Sequence, residues 1–374
     1  MKVVIATDSF KGTLKAYEAC EIIAQAIAEI TPEAQLVIKP MADGGEGTAR
    51  AMIKAAKGRW IPQTVMGPVP DMQVEAGFAW FDDKTALVEM ASASGLELLS
   101  AEQMNPLKTT TYGTGELIKA ALEYGACKIL LAVGGSATVD GGLGAAMALG
   151  WKFFDSQDNP IPLGGAGLGK ITKIVRPKNL NLVPLEVLCD VDNPLCGERG
   201  AAKVYGPQKG ATEKMVEELE RGLAHLAELV GKQLGRDINV PGAGAAGGLA
   251  GGAIAFMNAA VVSGIETIMA HSNILAELES ADWVITGEGS FDSQSLYGKV
   301  VSGILKSASQ SHTRLAVLAG QVDIPQQEYE KIGIAAAISC KDENMSLNYA
   351  LENSHKLLRS AAQRFATQYL SDCR

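Results

Sequence analysis

The chain has little that would support histidine or disulfide chemistry. Only four histidines occur in 374 residues, and none stands beside a cluster of acids. The six cysteines show no C-x-x-C spacing, and several lie in apolar segments, as is typical of buried thiols in a reducing compartment. A zinc site and a histidine base are therefore not expected, proton transfer falls to carboxylates, and a cytoplasmic location is expected.

A basic run and a strongly apolar run are also missing. The formal net charge of −9 argues against nucleic acid and anionic membranes as partners. The longest uncharged stretch, residues 238–265, is mostly glycine and alanine, which is too weakly apolar for a membrane span. The first ten residues read as a strand and not as a signal peptide. We expect small-molecule partners, and the sequence leaves room for a homo-oligomer as well as a monomer.

Strand and helix patterns alternate at both ends of the chain, which predicts parallel strands with crossover helices. Two strands at the front and three at the back make one normal doubly wound sheet. We therefore predict an α/β protein of two domains. Residues 1–61 and 281–374 form a discontinuous Rossmann-like or flavodoxin-like parallel-sheet domain, residues 62–280 form a second α/β domain inserted in it, and the active site lies in the cleft between them.

The segment "ADGGEGT", residues 42–48, sets two carboxylates, Asp43 and Glu46, among three glycines. It follows a predicted strand and runs into a helix, at the edge where open parallel sheets bind ligands. Glycines there let backbone N–H groups approach a phosphate, and a helix N-terminus favours negative charge. A magnesium ion between carboxylates and phosphate oxygens would explain the acids. Taken alone, the loop is equally well a glycine turn with solvated caps.

Four more segments repeat this design after predicted strands. Each combines glycine or other small residues with at least one acid: "ATDSFKGT" (6–13), "AVGGSATVDGGLG" (132–144), "CDVDNPLCG" (189–197) and "ITGEGSFDSQS" (285–295). Five such strand ends together predict a metal–nucleotide phosphotransferase site.

Two other glycine motifs lack the context that their function requires. "GGAGLGKI" (164–171) fits G-x-x-x-x-G-K, but Ile171 replaces the metal-binding Ser or Thr and no strand precedes the motif. "GAGAAG" (242–247) fits the dinucleotide-binding pattern, with Glu266 at a suitable distance for a ribose. A helix packed closely on another element, or a phosphate-approaching loop, explains "GAGAAG" better.

The segments "DSFKGTL", "MADGGEGT", "GGSATVDGG", "CDVDNPLCG" and "ITGEGSFDSQS", in this order, resemble the bacterial type 1 glycerate kinase family over essentially the whole chain. The resemblance implies phosphorylation of D-glycerate with ATP and Mg²⁺ in a site between two α/β domains. By family analogy, 2-phosphoglycerate is favoured over 3-phosphoglycerate as the product.

Roles within the motifs follow from the needs of phosphoryl transfer, which are positioning and charge neutralisation. Asp8 is the predicted general base with Asp190 second, Ser9, Lys11 and Arg199 are to bind the substrate, and Asp43 and Asp192 are to hold Mg²⁺, with Asp190 as a further candidate. The predicted ATP-binding residues are Gly44, Gly45, Glu46, Gly47, Gly134, Gly135, Ser136, Gly287, Glu288, Gly289 and Asp292. Exposure to solvent is the default expectation for each cation near the motifs, and Lys11 and Arg199 are favoured as ligands because they lie within the motifs themselves. The other cations are Lys203, Lys209 and Lys299.

Two other functions stay open on the sequence. A nicotinamide-dependent oxidoreductase acting on a small hydroxy acid would rest on "GAGAAG". A non-catalytic effector-binding protein of similar fold would bind glycerate or nucleotide without turnover.

Overall fold

The computed structural model describes residues 1–42, 44–45, 47–296, 300–342 and 344–371, with the side chain of Gln294 left out. The strands are β1 (Lys2–Ile5), β2 (Gln35–Ile38), β3 (Arg59–Met66), β4 (Gln73–Trp80), β5 (Thr85–Glu89), β6 (Lys128–Ala132), β7 (Lys152–Phe154), β8 (Lys173–Val175), β9 (Leu185–Leu188), β10 (Ala260–Val262), β11 (Trp283–Phe291), β12 (Arg314–Val322) and β13 (Ile334–Ser339). The α-helices are α1 (Ala16–Ile30), α2 (Thr48–Ala56), α3 (Ala91–Ser94), α4 (Tyr112–Tyr124), α5 (Leu143–Ala148), α6 (Ala201–Tyr205), α7 (Glu213–Leu234), α8 (Ala245–Met257), α9 (Gly264–Ser272), α10 (Ile274–Leu278), α11 (Val300–Ser311), α12 (Gln326–Lys331), α13 (Leu347–Glu352) and α14 (Ser354–Phe365). The predicted α/β class with parallel sheets is confirmed.

Internal contacts divide the chain into two compact units. The terminal unit comprises Met1–Asp43, Arg50–Lys57 and Ile265–Arg374, and the central unit comprises Gly44–Ala49 and Gly58–Gly264. The contacts place the two main boundaries after Lys57 and Gly264 and assign residues 44–49 to the central unit, whereas the sequence placed the boundaries after residues 61 and 280. The second boundary falls at the start of α9, which with α10 makes up two helices that were not predicted from the sequence.

The terminal unit is built on one five-stranded parallel sheet in the order β13-β12-β11-β1-β2. Strands from both ends of the chain are neighbours in it, since Val4 of β1 pairs with Val284 of β11 and with Val37 of β2. The apolar stripe of α1 is buried as its helical spacing predicts, except at the last residue, Ile30, which is exposed.

The central unit is built on a six-stranded sheet in the order β10-β9-β6-β5-β4-β3, and β7 and β8 form a separate two-stranded sheet. The pairs from β10 to β5 are parallel, while β4 and β3 add an antiparallel edge. The parallel strands β5, β6, β9 and β10 therefore end at one edge of the sheet.

Strand β11 is longer than the sequence predicts. Its parallel pairing with β12 continues through Gly287 and on to Phe291, so residues 287–289 lie within a strand and not in a loop. Glycine is required for this pairing at 287, because a Cβ there would lie 2.0 Å from the Leu318 carbonyl oxygen. The missing side chain hid the strand from a pattern based on β-branched residues.

Candidate functional site

Four neighbouring strands of the central unit deliver polar residues to the same sheet edge. Strand β5 ends at Glu89, β6 leads into 134–140, β9 leads to Asp190, and β10 leads to Ser263. Ligands of open parallel sheets bind outside this carboxyl edge. The central unit thus provides a candidate active site of its own.

Glu89 holds the glycine turn that precedes α2. Its Oε1 accepts a hydrogen bond from Gly47 N at 2.6 Å, and its Oε2 accepts one from Ala49 N at 3.1 Å. The side chain is buried, with 7% of the residue exposed. A carboxylate placed here satisfies N–H groups at a helix N-terminus and complements the helix dipole. The Gly47 N–H, predicted for phosphate, therefore already has a carboxylate partner.

Glu89 was not among the predicted site residues, although the sequence carries a signal for it. The segment "TALVEM" has an acid at the end of an apolar strand, as the five motifs do. It lacks the flanking glycines that directed attention to the others.

Two glycine turns of the central unit that were predicted to bind phosphate, at residues 44–45 and 134–136, contact each other through their backbones. Gly134 N donates to Gly44 O at 3.1 Å, and a Cβ at residue 134 would lie 2.5 Å from the Gly45 Cα atom. Gly44 also has a φ of +85°, which favours glycine. The Gly134 N–H is thus already used. Within the described residues, the N–H groups of Gly135 and Ser136 donate to no other residue.

Lys209 lies in the 3₁₀ helix Pro207–Lys209 and is buried, with 2% of the residue exposed, which corrects the expectation of a solvated side chain. Its Nζ donates to Ser136 Oγ at 2.7 Å and to the Thr138 carbonyl oxygen at 2.8 Å. Burial lowers its pKa to about 7, and the nearby charge of Asp140 opposes this shift. Lys209 is thus joined to the loop that follows β6.

Asp140, another motif acid, is fully buried and holds backbone. Its carboxylate accepts hydrogen bonds from Thr111 N at 2.8 Å, Thr111 Oγ1 at 2.9 Å, Gly142 N at 3.1 Å and Gly144 N at 3.2 Å. Burial raises its pKa, while these hydrogen bonds lower it. This acid fixes the loop at the start of α5.

Asp190 is the acid of "CDVDNPLCG" that lies at the sheet edge. Its Oδ1 accepts hydrogen bonds from Ser263 Oγ at 2.9 Å and from Gly264 N at 3.0 Å, which orients a partly buried carboxylate. Carboxylate oxygens suit Mg²⁺. Among the described residues, which omit Asp43 and Glu46, no three histidine, cysteine or acidic side chains gather as a metal cluster.

The predicted metal ligand Asp192 and the predicted substrate ligand Arg199 contact each other. Asp192 Oδ1 lies 2.5 Å from Arg199 Nη2, and both side chains are exposed, at 70% and 66%. The contact uses one oxygen of Asp192 and one nitrogen of Arg199, so it competes only in part with the predicted role of each side chain. Exposed pairs of this kind are weak, so opening costs little.

The terminal unit brings the first motif against β11. Asp8 N donates to Gly287 O at 2.9 Å, Ser9 N donates to Asp8 Oδ1 at 2.6 Å, and Lys11 is exposed. A Cβ at Gly289 would lie 3.6 Å from Lys11 N, so this turn runs beside the strand.

The motif that begins in β11 contains Asp292 and is followed by Lys299. Asp292 Oδ1 accepts from Ser295 N at 3.3 Å and caps a short 3₁₀ helix. Lys299, like Asp43 and Glu46, lies outside the described residues.

The segment "GGAGLGKI" does not form a phosphate-binding loop. Gly165–Lys170 is a 3₁₀ helix that leads into β8. No strand directly precedes it, in agreement with the prediction from the sequence.

The segment "GAGAAG" serves packing. It precedes and opens α8, Gly247 has a φ of +64°, and a Cβ there would lie 1.9 Å from the Thr138 carbonyl oxygen. The dinucleotide-binding interpretation loses its structural basis.

Among the described helices, none combines the length and apolar character that a membrane crossing requires.

Comparisons with known proteins agree with this arrangement. The glycerate kinase family model matches residues 3–370. A glycerate kinase from Halalkalibacterium halodurans is 43% identical over 97% of each chain, and a glycerate 2-kinase from Escherichia coli is 42% identical over 98% of this chain and 97% of its own. The crystal structure of a protein described as a glycerate kinase 2 from Salmonella typhimurium LT2 superposes with a TM-score of 0.87 at 40% identity, covering 99% of this chain and 98% of the other. The chain therefore belongs to the glycerate kinase family and is a kinase.

Proposed function

We propose that this kinase transfers the terminal phosphate of ATP to the 2-hydroxyl of D-glycerate and releases 2-phosphoglycerate and ADP. Family membership over residues 3–370 supports glycerate as the acceptor and ATP as the donor. The glycerate 2-kinase of E. coli, 42% identical, supports the choice of hydroxyl. One structural observation supports the proposal most directly: the family motifs of the central unit converge on one sheet edge, where the N–H groups of Gly135 and Ser136 have no acceptor among the described residues.

The ATP phosphates are assigned to the loop after β6. Gly135 and Ser136 supply the N–H groups, because those of Gly134 and Gly47 already donate to Gly44 and Glu89. Glu89 contributes by holding the turn at residues 44–47 in place. This refines the predicted set of donors without moving the site.

A magnesium ion fits the oxygen ligands at this edge. Asp190 is oriented there by Ser263 and Gly264, and Asp43 directly precedes Gly44 in the sequence. We assign the ion to these two carboxylates, with Asp192 as a further ligand through the carboxylate oxygen that does not contact Arg199. The ion would neutralise charge on the phosphate oxygens.

The acceptor is assigned to the first motif and to Arg199. Lys11, Ser9 and Arg199 bind the carboxylate and hydroxyls of glycerate, since charged donors favour a carboxylate. Asp8 accepts the proton of the attacking hydroxyl as that oxygen bonds to phosphorus and ADP departs. That the active site draws on both units stays a prediction.

A cytoplasmic location is part of the proposal. The reaction consumes ATP, and the cysteines within the described residues are all free thiols: Cys20, Cys127, Cys189, Cys196 and Cys340.

A coupled ADP-release assay over a panel of small hydroxy acids tests the function. We expect turnover with D-glycerate, little with lactate or glycolate, and none after magnesium is removed with EDTA. Glycerate binding in calorimetry without any ADP release would favour an effector-binding protein. Turnover that depends on a nicotinamide cofactor would reject the kinase proposal.

A further inference from the structure

We propose that Lys209 is the buried cation of an anion subsite at the Gly135–Ser136 turn, where it positions Ser136 to hold a phosphate group of ATP. This inference rests on the proposed function, because it takes ATP as the bound anion. No sequence pattern gave a reason to pair Lys209 with Ser136, since the two residues lie 73 positions apart.

The backbone N–H and C=O groups of Ser136 point away from residues 94–96, the segment that pairs with it. Ser136 forms an antiparallel bridge with Gly95, in which Leu96 N donates to Gly135 O at 2.9 Å and Ala137 N donates to Ser94 O at 3.0 Å. In such a pair, the residues directly opposite each other turn their own N–H and C=O groups outward. The bridge therefore fixes the turn and leaves the Ser136 N–H available to a ligand.

Lys209 brings an ammonium group into contact with this turn. Two of its three ammonium donors are directed to Ser136 Oγ and the Thr138 carbonyl oxygen. No carboxylate of the described residues lies within 4.0 Å of its Nζ atom. Asp140 is the charged group whose field reaches it.

Burial of a lysine without an ion pair is rare and costly. The fully buried Thr138 hydroxyl also has no hydrogen-bond partner among the described residues. The polar network around the loop is thus incomplete in the free protein, and a bound anion would complete its charge balance.

Anion binding must then be linked to protonation of Lys209. With a pKa of about 7 in the free protein, the side chain is mostly neutral at pH 8 and mostly charged at pH 6. A phosphate at the turn favours the ammonium form and raises this pKa. ATP binding should therefore take up a proton from solvent at pH 8 but not at pH 6, and ATP affinity should fall as pH rises through 7.

Calorimetry of magnesium–ATP binding tests this linkage. Titrations in buffers with different heats of ionisation report the protons taken up on binding. We expect uptake at pH 8 for the wild type, and a Lys209→Met variant that lacks it and binds ATP roughly tenfold to hundredfold more weakly at pH 6. Lys203→Met is the matched control, since Lys203 is a nearby lysine whose Nζ pairs with Glu198, and it should behave as the wild type.

The wild-type measurement stands even if Lys209→Met fails to fold. No proton uptake by the wild type at pH 8, or equal uptake in Lys209→Met, would overturn the inference, as would a loss of glycerate affinity with ATP affinity unchanged. Glycerate-dependent ADP release by the wild type is scored separately. If the wild type is active but takes up no proton when it binds ATP, only the role of Lys209 is rejected. If it takes up a proton but does not phosphorylate glycerate, only the proposed function is rejected.

Discussion

The acids of this protein divide into those that hold backbone and those assigned to chemistry. Glu89 and Asp140 each accept hydrogen bonds from backbone N–H groups and are buried. Asp8 and Asp190 are partly buried at strand ends. Residue type and motif membership do not separate the two groups, and Asp8 and Asp190 also accept a hydrogen bond from a backbone N–H group, but the degree of burial does separate them.

Asp8→Asn tests the general base, because it keeps the shape of the side chain and removes its basicity. We expect kcat to fall by about 10²–10⁴ with melting temperature and both KM values little changed. Steady-state kinetics and thermal denaturation measure this. A kcat within a few-fold of wild type, or a parallel loss of stability, would transfer the role to Asp190.

Lys11→Ala tests the placement of the acceptor. A charge-assisted hydrogen bond to a carboxylate contributes enough to binding that the glycerate KM should rise roughly tenfold to hundredfold, with less effect on ATP. Lys15→Ala, at an exposed lysine just beyond the motif, is the control. A rise in the ATP KM instead would show that Lys11 is a phosphate ligand.

At the scale of elements, the turns at the sheet edge are set by close contact between backbones. Gly134 touches the turn at residues 44–45, and Glu89 ties that turn to the end of β5. The site is therefore sensitive to changes that add a single methyl group.

Gly134→Ala should separate the two turns. The added Cβ would lie 2.5 Å from Gly45 Cα, so the backbone must move, and the ATP KM should rise at least tenfold with the glycerate KM less affected. Gly169→Ala is the matched control, because a Cβ at residue 169 meets nothing within 4 Å, and it should be silent in both assays. Equal kinetics for the two variants would contradict this account of the turns.

Much of the element order was predictable, since strand and helix periods alternate clearly at both ends of the chain. The five-stranded sheet follows from that alternation. The full length of β11 was not predictable, because Gly287 and Gly289 carry no β-branched signal and are fixed by contacts with β12 and the Phe10–Lys11 turn. The burial of Lys209 was also not predictable, because its partners lie more than seventy residues away along the chain.

At the scale of the whole molecule, Lys209 makes folding stability depend on pH. Its pKa is lowered from 10.5 to about 7 in the folded protein, so between these values the unfolded chain binds the extra proton. The free energy of unfolding should then rise with pH across this window, by at most roughly 1.4 kcal/mol per pH unit.

Urea denaturation of wild type and Lys209→Met between pH 7 and 10 measures this contribution. The rise should be present in the wild type and smaller in the variant, which has no lysine to titrate. Burial raises the pKa of Asp140, which acts in the opposite sense, and this carboxyl group is present in both proteins. Parallel stability curves for the two proteins would show that Lys209 is protonated in the folded state at pH 8.

Phosphorus NMR of the reaction product tests the central claim, transfer of the ATP phosphate to the 2-hydroxyl of D-glycerate. A phosphate on the 2-oxygen is coupled to the single proton of that carbon and gives a doublet, while a phosphate on the 3-oxygen is coupled to two protons and gives a triplet. We predict a doublet that appears only when enzyme, ATP and D-glycerate are all present. A triplet would contradict the assigned hydroxyl, and the absence of any new phosphomonoester signal would contradict the assigned reaction.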